Sequence, residues 1–184
     1  ASATQVLTTG GKTFANITHS GAGILQVADD LTLTGLLTNN SGAGNIVMTG
    51  TGKTLTTVYL TISGGAVDLN GNNLTVSDTI TNSATLKAKG SETISITNND
   101  SDSGTVELYG TGSYTMPAGL NNSYNVSITG GGTYTLGAAF RAHATLSLSS
   151  NSNLVTAGYD LTAVTISIAN GSTLRMKGNE VITI

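Results

Sequence analysis

The sequence predicts an all-β chain that folds as a single parallel β-solenoid, also called a β-helix. Three observations predict it: short strand patterns occur throughout, helix patterns are missing, and the chain resembles itself at a regular spacing. A β-sandwich or a tandem pair of immunoglobulin-like domains is the alternative, because those folds also contain many short strands separated by turns.

The composition of the 184 residues excludes several classes of protein. Thr (32), Gly (24), Ser (19) and Asn (17) make up half of the chain, and only 9% of the residues are charged. Disordered chains carry more charge and proline, and a membrane-spanning helix needs about 18 unbroken apolar residues. Seven Lys and Arg face ten Asp and Glu, which is not the balance of a nucleic-acid binder. We therefore expect neither nucleic acid nor membrane insertion.

The strand signal is a triplet in which a hydroxyl residue separates two apolar residues. Because side chains alternate between the two sides of a strand, the apolar pair points to one side and the hydroxyl to the other. Clusters of Gly, Asn and Asp between the triplets indicate turns, since these residues tolerate positive φ. The triplets occupy residues 31–33, 60–62, 74–76, 94–96, 126–128, 146–148, 166–168 and 182–184.

Four internal matches indicate a repeat. Residues 80–96 resemble residues 168–184 at an offset of 88, and further matches have offsets of 43, 66 and 109. All four are close to multiples of a period near 22 residues, which is a typical length for one solenoid coil. Two immunoglobulin-like domains would explain only the offset of 88. The sequence thus predicts about 8 coils, forming a rod about 40 Å long. It also predicts a single domain, 1–184, with an internal duplication (approximately 1–96 and 97–184).

Stacked coils explain the composition. Inward Val, Ile and Leu form a continuous apolar column, while outward Thr, Ser and Asn form ladders on the surface. Charged residues are scarce because like charges stacked about 4.8 Å apart repel each other.

Thr-rich coils with phrases such as VDLNGNNLTV (67–76) resemble repeat-rich bacterial surface proteins, including adhesins and the β-solenoid passengers of autotransporters. The resemblance implies secretion, an extracellular or cell-surface location, and a role as a stalk, adhesin or fibre. It assigns no function to any individual residue.

Two segments have a partial resemblance to ligand-binding loops. The phrase Gly50–Thr54 looks like the end of a phosphate-binding loop, but Val47 stands where that motif needs its first glycine. Residues 10–13 repeat the phrase, which favours a turn between repeats. Residues 98–104 place oxygen ligands at alternate positions, with Asp100 and Asp102 as the calcium candidates. Their glycine is one place late, which favours an ordinary turn.

No enzyme, cofactor or metal site is expected. The neighbouring carboxylates Asp29 and Asp30 should face opposite ways on a strand, and Asp68 lies near an adjacent coil without an evident acidic partner. The two histidines, His19 and His143, are far apart in the sequence, and we expect them at the surface or in turns.

Charged and aromatic residues are the other surface candidates. Two similar segments, one with Lys87, Lys89 and Glu92 and one with Arg175, Lys177 and Glu180, predict solubilising outward faces, or lateral contacts as the functional alternative. Exposed tyrosines could stack on sugar rings, so a glycan is a possible partner. One of them, Tyr134, aligns with Leu25 and is expected in the core. The tyrosines of the second half are Tyr109, Tyr114, Tyr124, Tyr134 and Tyr159.

The functional hypothesis comes from the ends of the solenoid, whose outermost strands have unpaired main-chain groups. We expect a homopolymer in which copies stack head to tail, giving a structural subunit of an extracellular filament. The alternatives are an adhesin or stalk segment of a larger surface protein and, less favoured, a polysaccharide-degrading solenoid enzyme. The residues predicted at the contact are Gln5, Val6 and Leu7 at one end and Val181, Ile182, Thr183 and Ile184 at the other.

Overall fold

The structure, a computed structural model, describes residues 3–100 and 103–184 and is built almost entirely of parallel β-strands. One 3₁₀ helix, Ala118–Leu120, is the helical element among these residues. The strands are β1 (Thr4–Leu7), β2 (Thr13–Phe14), β3 (Ile17–His19), β4 (Ile24–Val27), β5 (Leu31–Leu33), β6 (Leu36–Met48), β7 (Thr54–Thr57), β8 (Tyr59–Asp68), β9 (Asn73–Asn82), β10 (Thr85–Ala88), β11 (Ile94–Asp100), β12 (Thr105–Leu108), β13 (Ser113–Thr115), β14 (Asn125–Ile128), β15 (Thr133–Thr135), β16 (Phe140–Arg141), β17 (Thr145–Leu148), β18 (Asn153–Val155), β19 (Leu161–Thr162), β20 (Thr165–Ile168), β21 (Thr173–Arg175) and β22 (Ile182–Thr183).

The strands wind into a three-sided solenoid of about nine coils, so the predicted fold class is confirmed. Each coil contributes one strand segment to each of three faces, except that the sixth coil has the 3₁₀ helix and an isolated bridge from Ser123 to Ala142 in place of a strand on face 3. Face 1 contains β1, β4, the ends of β6 and β8, β10, β12, β14, β17 and β20. Face 2 contains β2, β5, β7, the starts of β9 and β11, then β13, β15, β18 and β21. Face 3 contains β3, the starts of β6 and β8, the ends of β9 and β11, then β16, β19 and β22.

The coil length and number differ from the expectation of about 8 coils of 22 residues. The strand registers advance by about 20 residues per coil, as when Thr4 pairs with Ile24 and Thr145 with Thr165. Each coil therefore contains fewer residues than the internal matches suggested, and the chain forms about nine coils.

Three of the four offsets superpose strands that lie on different faces. At offset 88, Leu86 on face 1 matches Leu174 on face 2, and Ile94 on face 2 matches Ile182 on face 3. The offsets of 66 and 109 are shifted by one face in the same way. Only the offset of 43 spans whole coils, since Ile17 pairs with Leu37 and Leu37 pairs with Leu60. The shifted matches arise because the three faces and their corners use similar residues. The predicted duplication itself stays a prediction.

The interior is a set of apolar columns, as predicted. On face 1 the column that starts at Leu25 continues through Ile46, Val67, Leu86 and Val106, and each of the last four side chains is buried. Burying a leucine or isoleucine of this kind contributes about 1.5–3 kcal/mol. One coil has no core of its own, so the coils are stable only when stacked.

The outward ladders are also as predicted. On face 2, Thr13, Thr32, Thr56 and Thr75 follow one another in register. On face 1, the charged residues Asp68, Lys87 and Glu107 follow one another in register, and their signs alternate.

The sequence reasoning missed what the Asn and Asp residues do at the starts of strands. In successive coils, an Asx side-chain oxygen accepts a hydrogen bond from a backbone N–H about one coil further along the chain. For example, Asn16 Oδ1 accepts from the Leu36 N–H at 2.7 Å, and Asn73 Oδ1 accepts from the Thr93 N–H at 2.8 Å. The same arrangement joins Asp30 to Thr54, Asn45 to Ala66, Asn121 to Arg141, Asn125 to Thr145 and Asp160 to Val181. These bonds fix the register between coils.

The cross-section changes between the fifth and sixth coils. In the first part, faces 2 and 3 meet at a short bend, as where β5 ends at Leu33 and β6 begins at Leu36. In the second part the same corner is a longer loop, as where β18 ends at Val155 and β19 begins at Leu161. At the change, the 3₁₀ helix packs on β11, and among the described residues no ladder joins β11 to β13.

Candidate self-association surface

The N-terminal coil, formed by β1, β2 and β3, presents one end of the rod. Within the described residues, β1 pairs only with β4, so its other edge is open. Gln5 is in register with Leu25 and so takes an inward position, whereas Val6 points outward and is 63% exposed. Leu7 continues the inward column of Val27 and is half-buried.

The C-terminal coil, formed by β20, β21 and β22, presents the other end. Its strands continue the apolar columns of the coil before, since Ile166 is in register with Leu146 and Ile182 with Leu161. Because no described residue lies beyond this coil, inward side chains that are buried elsewhere are exposed here. Ile168 is 45% exposed and Met176 is 56% exposed, while Ile184 reaches 77%.

The predicted contact residues therefore lie at opposite ends of the rod, but on different faces. Residues 5–7 belong to face 1, whereas Ile182 and Thr183 belong to face 3. The strand of the C-terminal coil that lies on the same face as β1 is β20. Whether residues 5–7 and 181–184 form a contact stays a prediction.

The sequence reasoning missed four inward residues of the C-terminal coil. Ile166 and Ile168 lie on face 1, and Leu174 and the position of Met176 continue the inward columns of face 2. The signal was present in the triplet 166–168, which has the same alternation as the buried triplets of earlier coils.

A carboxylate organises the last corner of the C-terminal coil. Glu180 accepts hydrogen bonds from the Thr156 hydroxyl and from the backbone N–H groups of Lys177 (2.6 Å), Gly178 (2.7 Å) and Asn179 (2.8 Å). The Thr156 hydroxyl, and then backbone N–H groups that include those of Lys177 and Gly178, favour the charged form and lower the pKa of Glu180 to about 2. The corner is thus held by an ionised side chain.

The matching segment of the fifth coil has the same turn in a buried setting. Glu92 is 5% exposed and accepts from the N–H groups of Gly71 (2.8 Å), Lys89 (2.7 Å) and Gly90 (2.6 Å). The prediction of an outward charged face is therefore wrong for Glu92. Its carboxylate accepts hydrogen bonds from the turns of two successive coils.

A short row of charges lies on the outside of face 1. Lys87 Nζ is 3.2 Å from Glu107 Oε2 and 5.2 Å from the centre of the Tyr109 ring. The Tyr109 hydroxyl donates to Asp68 Oδ1 at 2.8 Å. Burial, together with this hydrogen bond, raises the pKa of Tyr109. These charged groups satisfy one another, with Asp68, Lys87 and Glu107 stacked in alternating sign.

The other carboxylates and the phosphate-loop phrases take part in corner turns. Asp29 accepts from the N–H groups of Thr9 and Gly10, both at 2.9 Å, whereas Asp30 accepts from Thr54 of the next coil. In the phrase Gly50–Thr54, the Lys53 N–H donates to Asn72 Oδ1 at 2.8 Å. The neighbouring acids do point to different coils, and both glycine phrases are turns between strands.

The tyrosines divide between the core and separate surface positions. Tyr134 is fully buried, as predicted from its alignment, and its ring lies 5.2 Å from that of Tyr114. The hydroxyl of Tyr134 accepts from the Gly110 N–H at 2.9 Å and donates to the Lys89 carbonyl. Exposed Tyr124 and Tyr159 lie on different coils. Whether they bind a glycan stays a prediction.

The surface position expected for His19 is wrong. His19 is 6% exposed, and its Nδ1 lies 3.0 Å from Asn39 Oδ1. The Asn39 amide group donates to the carbonyls of Gly44 and Ala66, so its oxygen must accept and His19 Nδ1 carries the proton. His143 lies next to β16 and is half-buried.

The calcium hypothesis falls outside what the structure describes, because Asp102 and the side chain of Asp100 are not among the described residues. Within the described ranges, no group of three His, Asp or Glu residues is arranged to hold a metal ion. Nor does any described helix have the length and apolar character needed to cross a membrane.

No protein family, curated protein or solved structure matches the chain in sequence or structural comparison. The fold and the exposed inward side chains of the end coils are therefore the observations from which a function is argued.

Proposed function

We propose that the chain is a structural rod of an extracellular fibre or stalk, lengthened by stacking of a further solenoid coil on its end. One observation carries the proposal: the apolar columns that run through the core reach the C-terminal coil and are exposed there. Apolar side chains and open strand edges at one surface favour association with another strand-bearing surface.

The coil spacing supports this role. Because successive coils repeat every 20 residues or so with parallel registers, any added coil that follows the same register extends all three faces. Main-chain pairing and burial of the exposed columns then act together. The extracellular location is proposed from the composition, which is rich in Thr, Ser, Asn and Gly and poor in Lys and Glu.

The test is the size of the purified 184-residue chain, measured by light scattering and electron microscopy. We expect particles longer than a single rod of about 40 Å. The variant Ile168→Lys puts a charge on the exposed end column, where the single chain tolerates it. The substitution should raise the dissociation constant of the end-to-end contact between copies by at least about 30-fold, as for a central interface residue.

A matched control is Ile24→Lys, because Ile24 is also an exposed isoleucine on a face 1 strand but points outward in the second coil. This variant should associate as the unmodified chain does. A single-chain mass for the unmodified protein at every concentration would contradict the proposal.

A further inference from the structure

The sequence contains two Asn–Gly pairs, Asn70–Gly71 and Asn170–Gly171. An asparagine followed by glycine is chemically labile, because glycine has no side chain to hinder attack by its own backbone nitrogen. Both pairs lie at the corner that joins face 1 to face 2, in the fourth coil and in the ninth. The pair in the fourth coil is enclosed by coils on both sides.

The preceding coil and the turn itself hold Asn70 in place. Asn70 and Gly71 have left-handed φ angles of +51° and +87°, and the Asn72 N–H closes the turn by donating to the Leu69 carbonyl at 2.9 Å. The side-chain amide of Asn70 donates to the carbonyl of Met48, one coil earlier, at 3.1 Å. Both the backbone and the side chain of Asn70 are thus fixed.

The following coil binds the other reacting group. Oε1 of Glu92 accepts the Gly71 N–H at 2.8 Å, and this glutamate is only 5% exposed. The same carboxylate accepts the N–H groups of Lys89 (2.7 Å) and Gly90 (2.6 Å), so its own turn holds it in position. The backbone nitrogen of Gly71 therefore lies against a buried carboxylate of the next coil.

Deamidation of Asn70 requires that same nitrogen. Base removes the proton from the Gly71 N–H, and the nitrogen then forms a bond to Cγ of Asn70. The bond from Cγ to Nδ2 breaks, and ammonia leaves. Water opens the resulting succinimide ring at either carbonyl, which leaves aspartate or isoaspartate. A carboxylate bound to the N–H favours the protonated nitrogen and opposes a negative charge on it.

We propose that Asn70 is a latent deamidation site, and that the Glu92 carboxylate of the next coil keeps it unreactive. Isoaspartate carries the main chain through the side-chain carbon and so lengthens the backbone by one atom. At this corner the added atom directly precedes β9, which begins at Asn73. One hydrogen bond between coils therefore both fixes the stack and protects its main chain from a change that would disturb the register.

Peptide mapping by mass spectrometry, during incubation at neutral pH, measures deamidation at each Asn–Gly pair separately. In the chain unfolded by urea, the two pairs should react at similar rates. In the folded chain, Asn70 should react at least about 10-fold more slowly than in the unfolded chain, because reaction requires local opening.

The variant Glu92→Gln keeps the size of the side chain but removes its negative charge. It should raise the rate at Asn70 in the folded protein by about 10-fold, as for loss of a hydrogen bond to a charged acceptor. The matched control is Glu180→Gln, which removes the carboxylate of the same type of turn in the ninth coil and should leave the Asn70 rate unchanged. Circular dichroism establishes that each variant is folded.

Hydrogen exchange of the Gly71 N–H is a second measurement that needs no variant, since exchange and deamidation remove the same proton. We expect this N–H to exchange slowly in the unmodified protein, and low concentrations of urea to raise both rates in parallel. Rapid exchange of the Gly71 N–H would overturn the proposal. So would equal Asn70 rates in the folded unmodified chain and in folded Glu92→Gln. Neither measurement depends on whether copies of the chain associate.

Discussion

Single polar side chains connect one coil to the next. An Asx oxygen near the start of a strand accepts a backbone N–H of the following coil, as Asp160 Oδ1 does from Val181 at 2.7 Å. Carboxylates also satisfy the N–H groups of tight corners, which would otherwise be left without partners. The abundance of Asn and the scarcity of charge therefore have one explanation: neutral acceptors can be stacked at every coil.

Glu180 makes the stability of the fold depend on pH. Its pKa is lowered to about 2 from the usual 4.5, chiefly by the Thr156 hydroxyl and then by backbone N–H groups. The unfolded chain thus takes up a proton at higher pH than the folded chain. The contribution of Glu180 is fully present above pH 4.5 and is lost as the pH falls towards 2.

We expect the midpoint of urea unfolding to fall between pH 6 and pH 2.5, and to fall less in Glu180→Gln. At pH 6 the variant should be less stable than the unmodified protein, and the two should converge near pH 2. The variant keeps part of the acid dependence, because the Thr9 N–H lowers the pKa of Asp29 and the Thr79 hydroxyl lowers that of Asp78. An equal fall in both proteins would show that the Glu180 turn is not formed in solution.

Corner turns of the same sequence type occur in different packing environments. Gly90 and Gly178 occupy matching positions and have nearly equal φ angles of +107° and +105°. A Cβ at Gly90 would lie 2.5 Å from Tyr134 Cε1 and 2.9 Å from Tyr114 Cγ, whereas a Cβ at Gly178 has no neighbour within 4 Å. Substitutions at the two glycines therefore distinguish the cost of backbone strain, which both share, from the cost of a packing clash, which arises only at Gly90.

Alanine at each glycine should measure these two effects. Gly178→Ala is expected to cost about 1 kcal/mol in the free energy of unfolding, because of the left-handed backbone alone. Gly90→Ala adds a clash with the buried tyrosine pair and should cost about 2 kcal/mol more. Urea unfolding at pH 7 gives both values. Equal costs would mean that the tyrosine rings move aside freely.

The strands could be predicted from the sequence, but their assignment to faces could not. Triplets such as 146–148 alternate so regularly that inside and outside follow directly. The coil length did not follow, because the best internal match puts Leu86 on Leu174, which lies on a neighbouring face. The matching segments have the same corner turn at different corners: the Glu92 turn joins faces 1 and 2, whereas the Glu180 turn joins faces 2 and 3.

The candidate site was only partly predictable for a similar reason. The open strands at both ends were identified from the pattern, whereas the face on which each strand lies depends on the summed lengths of all corners between them. Ile168 was missed as an end residue because it lies sixteen positions before the last residue, Ile184, while belonging to the same end coil. His19 was misplaced because its partner Asn39 is one coil away.

The whole molecule is a stack of units that each contact only their neighbours. Stability is then close to a sum of coil and interface contributions, and a complete unit can be added without changing the rest. The eighth coil, residues 145–164, is suited to this because its strands pair with both adjacent coils in register.

Duplicating residues 145–164 in tandem should give a folded chain with thermal stability equal to or above that of the parent. The rod should lengthen by about 4.8 Å, and the urea m-value should rise with the added buried surface. Duplicating only residues 145–154 puts the following strands on the wrong faces. That variant should lose on the order of 10 °C in Tm. Equal tolerance of both insertions would contradict the stacked-unit description.

The change of cross-section has a mechanical consequence. At the level between the fifth and sixth coils, main-chain pairing is continuous on face 1, where β10 bonds to β12, but among the described residues not from β11 to β13 on face 2. On face 3, the Asn99 side chain spans the same level by donating to the Asn121 carbonyl at 3.0 Å. A tensile load along the rod is thus borne unevenly here, and this level is where the rod should yield first when its ends are pulled apart.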